Sequence, residues 1–157
     1  MDPFKRYDIR GRLGIDLDEG VAHRIAQAFA RVTGANAVVL ARDCRESSPA
    51  LADAVAAGLV AQGCRVLDLG LAGTEEMYFA TAHLGAGGGI MVTASHNPRD
   101  YNGMKLVGPG AVPLSDADFA QVQALSAQKP DPVPGGAVQD ASATRAAYVA
   151  RIAALVG

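Results

Sequence analysis

The sequence predicts an α/β fold built on a largely parallel sheet. Short runs rich in β-branched residues alternate with longer segments of helical periodicity along most of the chain. Three strand–helix units follow one another in this way, and that order favours parallel strands joined by crossover helices. Of the 157 residues, 50% are hydrophobic and 19% are charged, so the chain can bury a sizeable core without metal or disulfide support.

Each element is predicted from its periodicity and its end signals. The first helix spans residues 18–33, with Asp18 as its cap and Gly34 as a left-handed stop. The second helix opens with Ser48 as N-cap and Pro49 at the first helical position, and it stops at Gly63. The other predicted elements are strand 37–41, strand 65–69, a helix capped by Thr74, strand 89–94, strand 104–107, and a helix from Ser115 to about Gln128 with Asp118 as a capping-box acid.

A change in composition divides the chain after residue 128. The run Lys129-Pro-Asp-Pro-Val-Pro-Gly-Gly holds three prolines and two glycines, too many for a regular element. We predict a linker over 129–143 and then a helix over 144–157, with Tyr148, Ile152 and Leu155 on one face. An amphipathic helix beyond a linker needs a partner for its apolar face.

Charge and hydropathy exclude several classes of function. The formal net charge is −2 with interspersed signs, and aromatic residues make up 5% of the chain, so nucleic acid is not an expected partner. No stretch approaches the length of a membrane span or resembles a secretory leader, and membrane association is not expected. Cys44 and Cys64 lack redox or metal-ligand spacing, so we expect two buried thiols in a reducing cytoplasm, with a bond between them left open.

The segment that follows strand 89–94 brings together the groups best suited to chemistry. Thr93-Ala-Ser-His-Asn-Pro turns out of the sheet, because its proline cannot continue a central strand. Open α/β sheets bind ligands at the carboxyl ends of their strands. Ser95 is a candidate nucleophile, His96 a candidate proton carrier and Lys105 a candidate clamp on an anion. An ordinary polar loop is the alternative, since such residues also favour turns.

Other kinds of site fit the local pattern less well. A serine hydrolase needs a Ser and a His that meet, whereas Ser95 and His96 are adjacent and the G-x-S-x-G elbow is absent. The glycines of Gly85-Ala-Gly-Gly-Gly precede a strand, so they predict a tight turn and not a phosphate cradle. Asp16-Leu-Asp-Glu lies where a helix begins, and capping accounts for these acids better than a metal site.

Several motifs resemble those of the α-D-phosphohexomutase superfamily. Thr93-Ala-Ser-His-Asn-Pro, followed by Asp100-Tyr-Asn-Gly-Met-Lys, resembles its phosphoserine loop. Phe4-Lys-Arg-Tyr-Asp-Ile-Arg-Gly is similar to its opening motif, and Ala41-Arg-Asp-Cys-Arg-Glu-Ser-Ser to its second loop. Gly73-Thr-Glu-Glu-Met-Tyr-Phe-Ala is similar to the phosphomannomutase/phosphoglucomutase type, and within it to bacterial phosphomannomutases.

The resemblance covers residues 4–128 and implies the first of four domains around a central cleft. That domain is a three-layer α/β/α sandwich with a mixed, mostly parallel sheet. Residues 1–128 then form domain I with its phosphoserine loop, 129–143 the linker, and 144–157 the helix that leads into domain II. The implied partners are the rest of the same polypeptide, domains II–IV, and a hexose phosphate.

The resemblance also implies catalytic roles for four residues. Ser95 carries a phosphoryl group that is passed to a hexose phosphate and taken back from a hexose 1,6-bisphosphate, so that the 6-phosphate and the 1-phosphate interconvert. Arg10 and Lys105 supply the fixed cations that the transferring group needs. His96 transfers or orients a proton.

Further residues are expected to bind substrate or order the loop. The resemblance places Tyr7, Arg10 and Asn97 on the substrate side, and it also implies that Asn97 holds the loop by hydrogen bonds. Asp43 and Arg45 are expected to order the loop as an ion pair and not to act directly in catalysis.

Magnesium is the cofactor that the resemblance implies, with Ser95 as one ligand through its phosphate and the other ligands in domain II. Hexose 1,6-bisphosphate is the implied activator. The substrate is mannose or glucose phosphate, and the motif over residues 73–80 favours mannose.

The chain alone is expected to be inactive, because the loops that read the sugar and grip its phosphate lie beyond it. The alternative function is a non-catalytic module that binds anions or takes part in interactions.

Overall fold

The computed structural model describes residues 2–5 and 8–156, and it confirms the predicted α/β fold. The strands are β1 (Ile9–Arg12), β2 (Ala37–Arg42), β3 (Arg65–Leu71), β4 (Gly88–Val92), β5 (Tyr101–Val107) and β6 (Ala137–Asp140). The helices are α1 (Glu19–Thr33), α2 (Ser48–Ala61), α3 (Thr74–His83), α4 (Asp116–Leu125) and α5 (Thr144–Val156), with a short 3₁₀ turn over Pro109–Ala111.

One mixed sheet holds all the strands of the described part, in the order β1-β5-β4-β2-β3-β6. Strand β2 pairs in parallel with both β3 and β4, and β3 pairs in parallel with β6. Strand β5 is antiparallel to β4 and to β1. The direction changes at β5 because only a short loop joins it to β4, whereas a parallel return needs a long crossover.

Two apolar cores lie on opposite faces of the sheet, so the fold has three layers. Successive strand residues point to opposite faces. Val38 and Leu40 pack in the core that includes α1 and α2, whereas Val39 packs with Met77 of α3 on the other face. The predicted sandwich with a mixed, mostly parallel sheet is therefore confirmed.

The helix ends follow local chemistry, with two corrections of one residue. Asp18 caps α1 by accepting a hydrogen bond from the Val21 amide at 2.8 Å, and Gly34 closes the helix with φ 63°, as predicted. The predicted caps Ser48 and Thr74 are wrong, because Ser47 and Gly73 occupy the cap positions. Ser48 lies inside the first turn of α2, where its hydroxyl bonds to a carboxylate instead of to the helix backbone.

The segment predicted as a linker contains a strand that the sequence analysis did not predict. β6 (Ala137–Asp140) pairs with β3, with Ala137 opposite Arg65 and Asp140 opposite Asp68. Its residues are exposed and show no strong strand pattern of their own. The strand forms because the free edge of β3 offers backbone hydrogen bonds to it. Strand β6 therefore brings the chain back onto the sheet just before α5 begins.

Helix α5 is attached to the domain mainly at its first turn. Arg145 donates from Nε to Oε2 of Glu76 at 3.0 Å and from Nη2 to the Leu71 carbonyl. The rings of Phe79 and Tyr148 lie 5.5 Å apart. Farther along, the apolar residues are exposed, Leu155 at 73%. Among the described residues, no helix has both the length and the apolar character needed to cross a membrane.

Replacing Arg145 by Met should lower the free energy of unfolding by about 1–3 kcal/mol, because Glu76 is buried and would lose its cationic partner. Thermal or urea unfolding of the chain measures this change. Arg151→Met, at an exposed arginine farther along the same helix, is the matched control and should change stability little.

A double-mutant cycle separates the ion pair from the general effect of removing an arginine. Adding Glu76→Gln to Arg145→Met should recover part of the loss, since a neutral amide is less costly to bury than a carboxylate. Additive effects of the two substitutions would contradict this account.

Candidate functional site

The loop predicted to carry the reactive residues spans residues 93–100 and follows the end of β4; it is called the Ser95 loop below. Strands β2 and β4 are parallel, so the loop that follows β2 lies at the same edge of the sheet. Ser95 is exposed on this edge, and its φ of 54° is in the left-handed region. A non-glycine residue pays roughly 1–2 kcal/mol for that conformation, so neighbouring contacts must hold it.

Hydrogen bonds within the loop fix the turn around Ser95. The Ser95 amide donates to Oγ1 of Thr93 at 3.0 Å, and the Thr93 amide donates to the Gly103 carbonyl of β5 at 2.9 Å. Asn97 donates from Nδ2 to the Ala94 carbonyl at 2.7 Å. This bond closes the turn from residue 94 to residue 97.

Arg45, from the loop after β2, donates hydrogen bonds to four backbone carbonyls, three in the Ser95 loop and one in the first residue of β5. Its Nη1 donates to the carbonyls of Pro98 at 2.8 Å and Tyr101 at 3.1 Å. Its Nη2 donates to the carbonyls of Ser95 at 3.0 Å and Asn97 at 2.6 Å. The sequence analysis expected no more of Arg45 than an ion pair, and it missed this set of backbone contacts.

Asp43 joins the two loops from the other side. Its Oδ2 accepts a hydrogen bond from the Thr93 hydroxyl at 2.8 Å and lies 3.6 Å from Nε of Arg45. Its Oδ1 accepts from the Arg45 amide at 3.1 Å and from the Ser48 hydroxyl. The expected ion pair between Asp43 and Arg45 is present, and it is one part of a larger network.

Asn102 extends this network into the protein interior. The side chain is fully buried, and its Nδ2 donates to the hydroxyls of Ser47 at 2.8 Å and Ser48 at 3.0 Å. Its Oδ1 accepts from the Gly103 amide at 2.8 Å. Asn102 thus ties β5 to the start of α2, a role that its place in the phosphoserine-loop motif did not reveal.

Ser95 and Asn97 line one cavity, of about 840 Å³, on this edge. The other lining residues come from the loop after β2, from the Ser95 loop and from the segment after β1. They are Leu13, Asp43, Cys44, Arg45, Glu46, Ser47, Thr93 and Arg99. His96 is exposed beside this cavity but is not among the residues that line it.

Arg10 and Lys105 line a second cavity, of about 450 Å³, together with Asp8 and Tyr78. Arg10 pairs with Gly103 on the neighbouring strand, and Lys105 lies two residues farther along, on the same face. A Cβ on Gly103 would clash with the Ile9 carbonyl oxygen, so only glycine allows β1 to lie this close. The structure therefore brings the two predicted cations together, in a cavity separate from that of Ser95.

Tyr7 and Arg10 were the residues expected on the substrate side of the opening motif. Tyr7 lies outside the described residues. Arg10 keeps its guanidinium partly engaged, because Nε donates to Oδ1 of Asp8 at 3.2 Å and the side chain is 42% exposed.

The possible metal-donor side chains of the described residues do not form a cluster. No group of three or more His, Cys, Asp or Glu side chains is placed to hold a metal ion within residues 2–5 and 8–156. Asp18 caps α1, and Asp16 accepts a hydrogen bond from the Arg12 amide at 3.1 Å, so both acids have the structural contacts expected at a helix start. Ser95 by itself offers a single oxygen.

The prediction of two buried thiols is wrong for one of them. Both cysteines are free, but Cys44 is exposed in the cavity of Ser95, because the loop after β2 turns it outward. Cys64 is buried at 1% exposure, and its Sγ donates to the Ala35 carbonyl. Burial raises the pKa of the Cys64 thiol.

Comparisons with known proteins agree on one family. The sequence model of "Phosphoglucomutase/phosphomannomutase, alpha/beta/alpha domain I" matches residues 1–131. A phosphomannomutase of Salmonella typhimurium is 56% identical over 124 residues, which are 78% of this chain and 27% of that protein. A phosphomannomutase of Klebsiella pneumoniae is 50% identical over 130 residues, which are 82% of this chain and 83% of that protein.

A solved structure extends the likeness to nearly the whole chain. A phosphoglucomutase/phosphomannomutase family protein from Burkholderia thailandensis superposes with a TM-score of 0.84 at 38% identity. The match covers 96% of this chain and 35% of that one. The chain therefore spans about a quarter to a third of the length of several relatives that it matches.

At pH 8, iodoacetamide should alkylate Cys44 quickly and Cys64 more than about tenfold more slowly, because burial limits both thiolate formation and access at Cys64. Peptide mass spectrometry over time measures the two rates. Cys44→Ser should remove the fast phase alone. Equal rates for the two thiols in the folded chain would contradict the placement of these residues.

Proposed function

The chain belongs to the phosphoglucomutase/phosphomannomutase family, of which it carries the alpha/beta/alpha domain I, and on that premise we propose that it is the phosphoserine domain of a phosphomannomutase. The whole protein would interconvert hexose 6-phosphate and hexose 1-phosphate through a hexose 1,6-bisphosphate. Mannose phosphate is the proposed substrate, and glucose phosphate a second one.

The observation that carries this proposal is the geometry of Ser95. Ser95 is an exposed residue at the carboxyl edge of the sheet, and hydrogen bonds fix the peptide groups on both of its sides. A nucleophile held in this way can meet a substrate without reorganising the loop, which favours transfer. An ordinary polar loop has no need of a left-handed serine held from both sides.

The proposed reaction consists of two phosphoryl transfers. In the first, the bond between phosphorus and Oγ of phosphorylated Ser95 breaks, and phosphorus bonds to the free C1 or C6 hydroxyl of the hexose phosphate. The proton of that hydroxyl passes to His96, and Oγ of Ser95 takes up a proton as the phosphoryl group leaves. In the second, Oγ of Ser95 gives up its proton and bonds to the other phosphorus of the bisphosphate. The bond between that phosphorus and the sugar oxygen breaks, and the sugar oxygen takes up a proton. Both transfers spread negative charge over the phosphoryl oxygens.

We propose that Arg10 and Lys105 stabilise that charge, which requires the phosphoryl group to reach their cavity, separate from that of Ser95. They lie on adjacent strands and share one cavity, so a single anionic group can meet both side chains. Fixed cations of this kind act without moving at the moment of transfer. Asn97 keeps the loop in register through the Ala94 carbonyl, and Tyr7 is proposed to face the sugar.

Magnesium belongs to the proposal as an ion held mainly by other parts of the whole protein. The phosphate on Ser95 would be one ligand, and the other ligands would come from the parts that longer relatives possess. When bound, magnesium would neutralise charge on the transferring group. We propose that the loops that read the sugar also lie in those other parts of the whole protein. We further propose that residues 1–128 form domain I, residues 129–143 a linker, and residues 144–157 the helix that leads into domain II.

Phosphosite mapping tests the central claim. Protein from the whole reading frame, incubated with hexose 1,6-bisphosphate and Mg²⁺, should carry phosphate on Ser95, as mass spectrometry of its peptides can show. Ser95→Ala should abolish both the label and mutase turnover, because no other group then accepts the phosphoryl. Ser126→Ala, a matched loss of a hydroxyl at the end of α4, should keep both.

The competing function, a module that binds anions without chemistry, makes the opposite forecast. Folded protein would then leave Ser95 unmodified, and phosphate binding would survive Ser95→Ala but be lost in Arg10→Ala or Lys105→Ala. That combination would replace the mutase proposal.

The 157-residue chain by itself should show negligible mutase turnover, because it lacks the loops proposed to hold the sugar and its second phosphate. A coupled assay of hexose phosphate interconversion measures this. Turnover by the chain alone at the rate of the whole protein would show that the remaining parts of the polypeptide are not needed for the reaction.

A further inference from the structure

We propose that Arg45 is a positioning residue for phosphoryl transfer at Ser95, a proposal that rests on the function proposed above. Arg45 does not act as a cation on the phosphoryl group in this account. It acts through its planar fork of donors, which fixes the backbone that carries the nucleophile.

Both terminal nitrogens of the Arg45 guanidinium donate to main-chain oxygens of the Ser95 loop and of the first residue of β5. Nη2 donates to the carbonyls of Ser95 and Asn97, and Nη1 to those of Pro98 and Tyr101, at 2.6 to 3.1 Å. The Arg45 side chain is only 19% exposed. A lysine has one nitrogen on a flexible stem and cannot reproduce two parallel pairs of donors.

The contact that matters most is the one to Ser95 itself. Arg45 holds the Ser95 carbonyl, and Thr93 Oγ1 holds the Ser95 amide, so both peptide groups that flank this residue are fixed. Once both groups are fixed, φ and ψ are set, and with them the direction in which the side chain leaves the backbone. This accounts for a serine kept at φ 54° where glycine would be expected.

Asp43 contacts both side chains that hold Ser95, those of Thr93 and Arg45. Its Oδ2 accepts from the Thr93 hydroxyl at 2.8 Å and lies 3.6 Å from Nε of Arg45. The carboxylate thereby orients the acceptor for the Ser95 amide and the donor for the Ser95 carbonyl. It also offsets the charge of Arg45, which favours a geometric role for this arginine over an electrostatic one.

Single-turnover phosphorylation of Ser95 tests the proposal, using whole protein, hexose 1,6-bisphosphate and Mg²⁺. Arg45→Lys keeps the charge and loses the fork, and Arg45→Gln loses both. We expect both variants to be phosphorylated about a hundredfold more slowly than the parent, with every chain labelled in the end. In steady state, kcat should fall by a similar factor while KM stays within about threefold.

Arg12→Lys is the matched control, because Arg12 reaches this region through an exposed ion pair with Asp100 and through the Tyr101 ring, and not through carbonyls. Its phosphorylation rate should equal that of the parent. If Arg45→Gln fails to fold, as shown by its circular dichroism, Arg45→Lys decides alone.

The remaining outcomes would overturn the proposal in different ways. A parental rate in Arg45→Lys with a slow rate in Arg45→Gln would mean that charge and not geometry matters. A lower labelled fraction with an unchanged rate would mean that Arg45 only supports folding, and parental behaviour in both variants would mean that it does neither. Parent protein that never labels Ser95 would instead refute the proposed function, and this inference with it.

Discussion

The parallel pairing of β2 with β4 is the constraint on which the site depends. The two strands end at the same edge of the sheet, so the loop that follows β2 meets the loop that follows β4. Arg45 and Ser95 are 50 residues apart in sequence, yet Arg45 donates to the Ser95 carbonyl at 3.0 Å. Without that pairing, the left-handed serine would have no support on its carbonyl side.

A buried polar network connects this edge to the interior. Asn102 bonds to Ser47 and Ser48, Ser48 bonds to Asp43, and Asp43 bonds to Thr93. Such networks stabilise a unique arrangement when every member is satisfied and are costly otherwise. Across the described residues, every buried side-chain nitrogen and oxygen has a partner. The network therefore connects the loop after β2 and the Ser95 loop to β5 and to the start of α2.

The motif over residues 73–80 has a structural role, which its resemblance to phosphomannomutases did not suggest. Glu76 is buried and paired with Arg145, so this position of the motif fastens α5 to α3. The same contact sets where α5 begins relative to the sheet. A motif that resembles one branch of a family can thus encode the attachment of a structural element.

The sequence by itself determined what depends on near neighbours. Asp18 caps α1 through the Val21 amide three residues on, Gly34 ends α1, and alternation along β2 divides the two cores, because caps and strand periodicity are local properties. The loop of Ser95 was located by its proline and its motif. Tertiary structure alone decided the strand β6, the exposure of Cys44, the separate cavities of Ser95 and Arg10, and the backbone contacts of Arg45. Each of these joins segments distant in the chain, and no local pattern records such a contact.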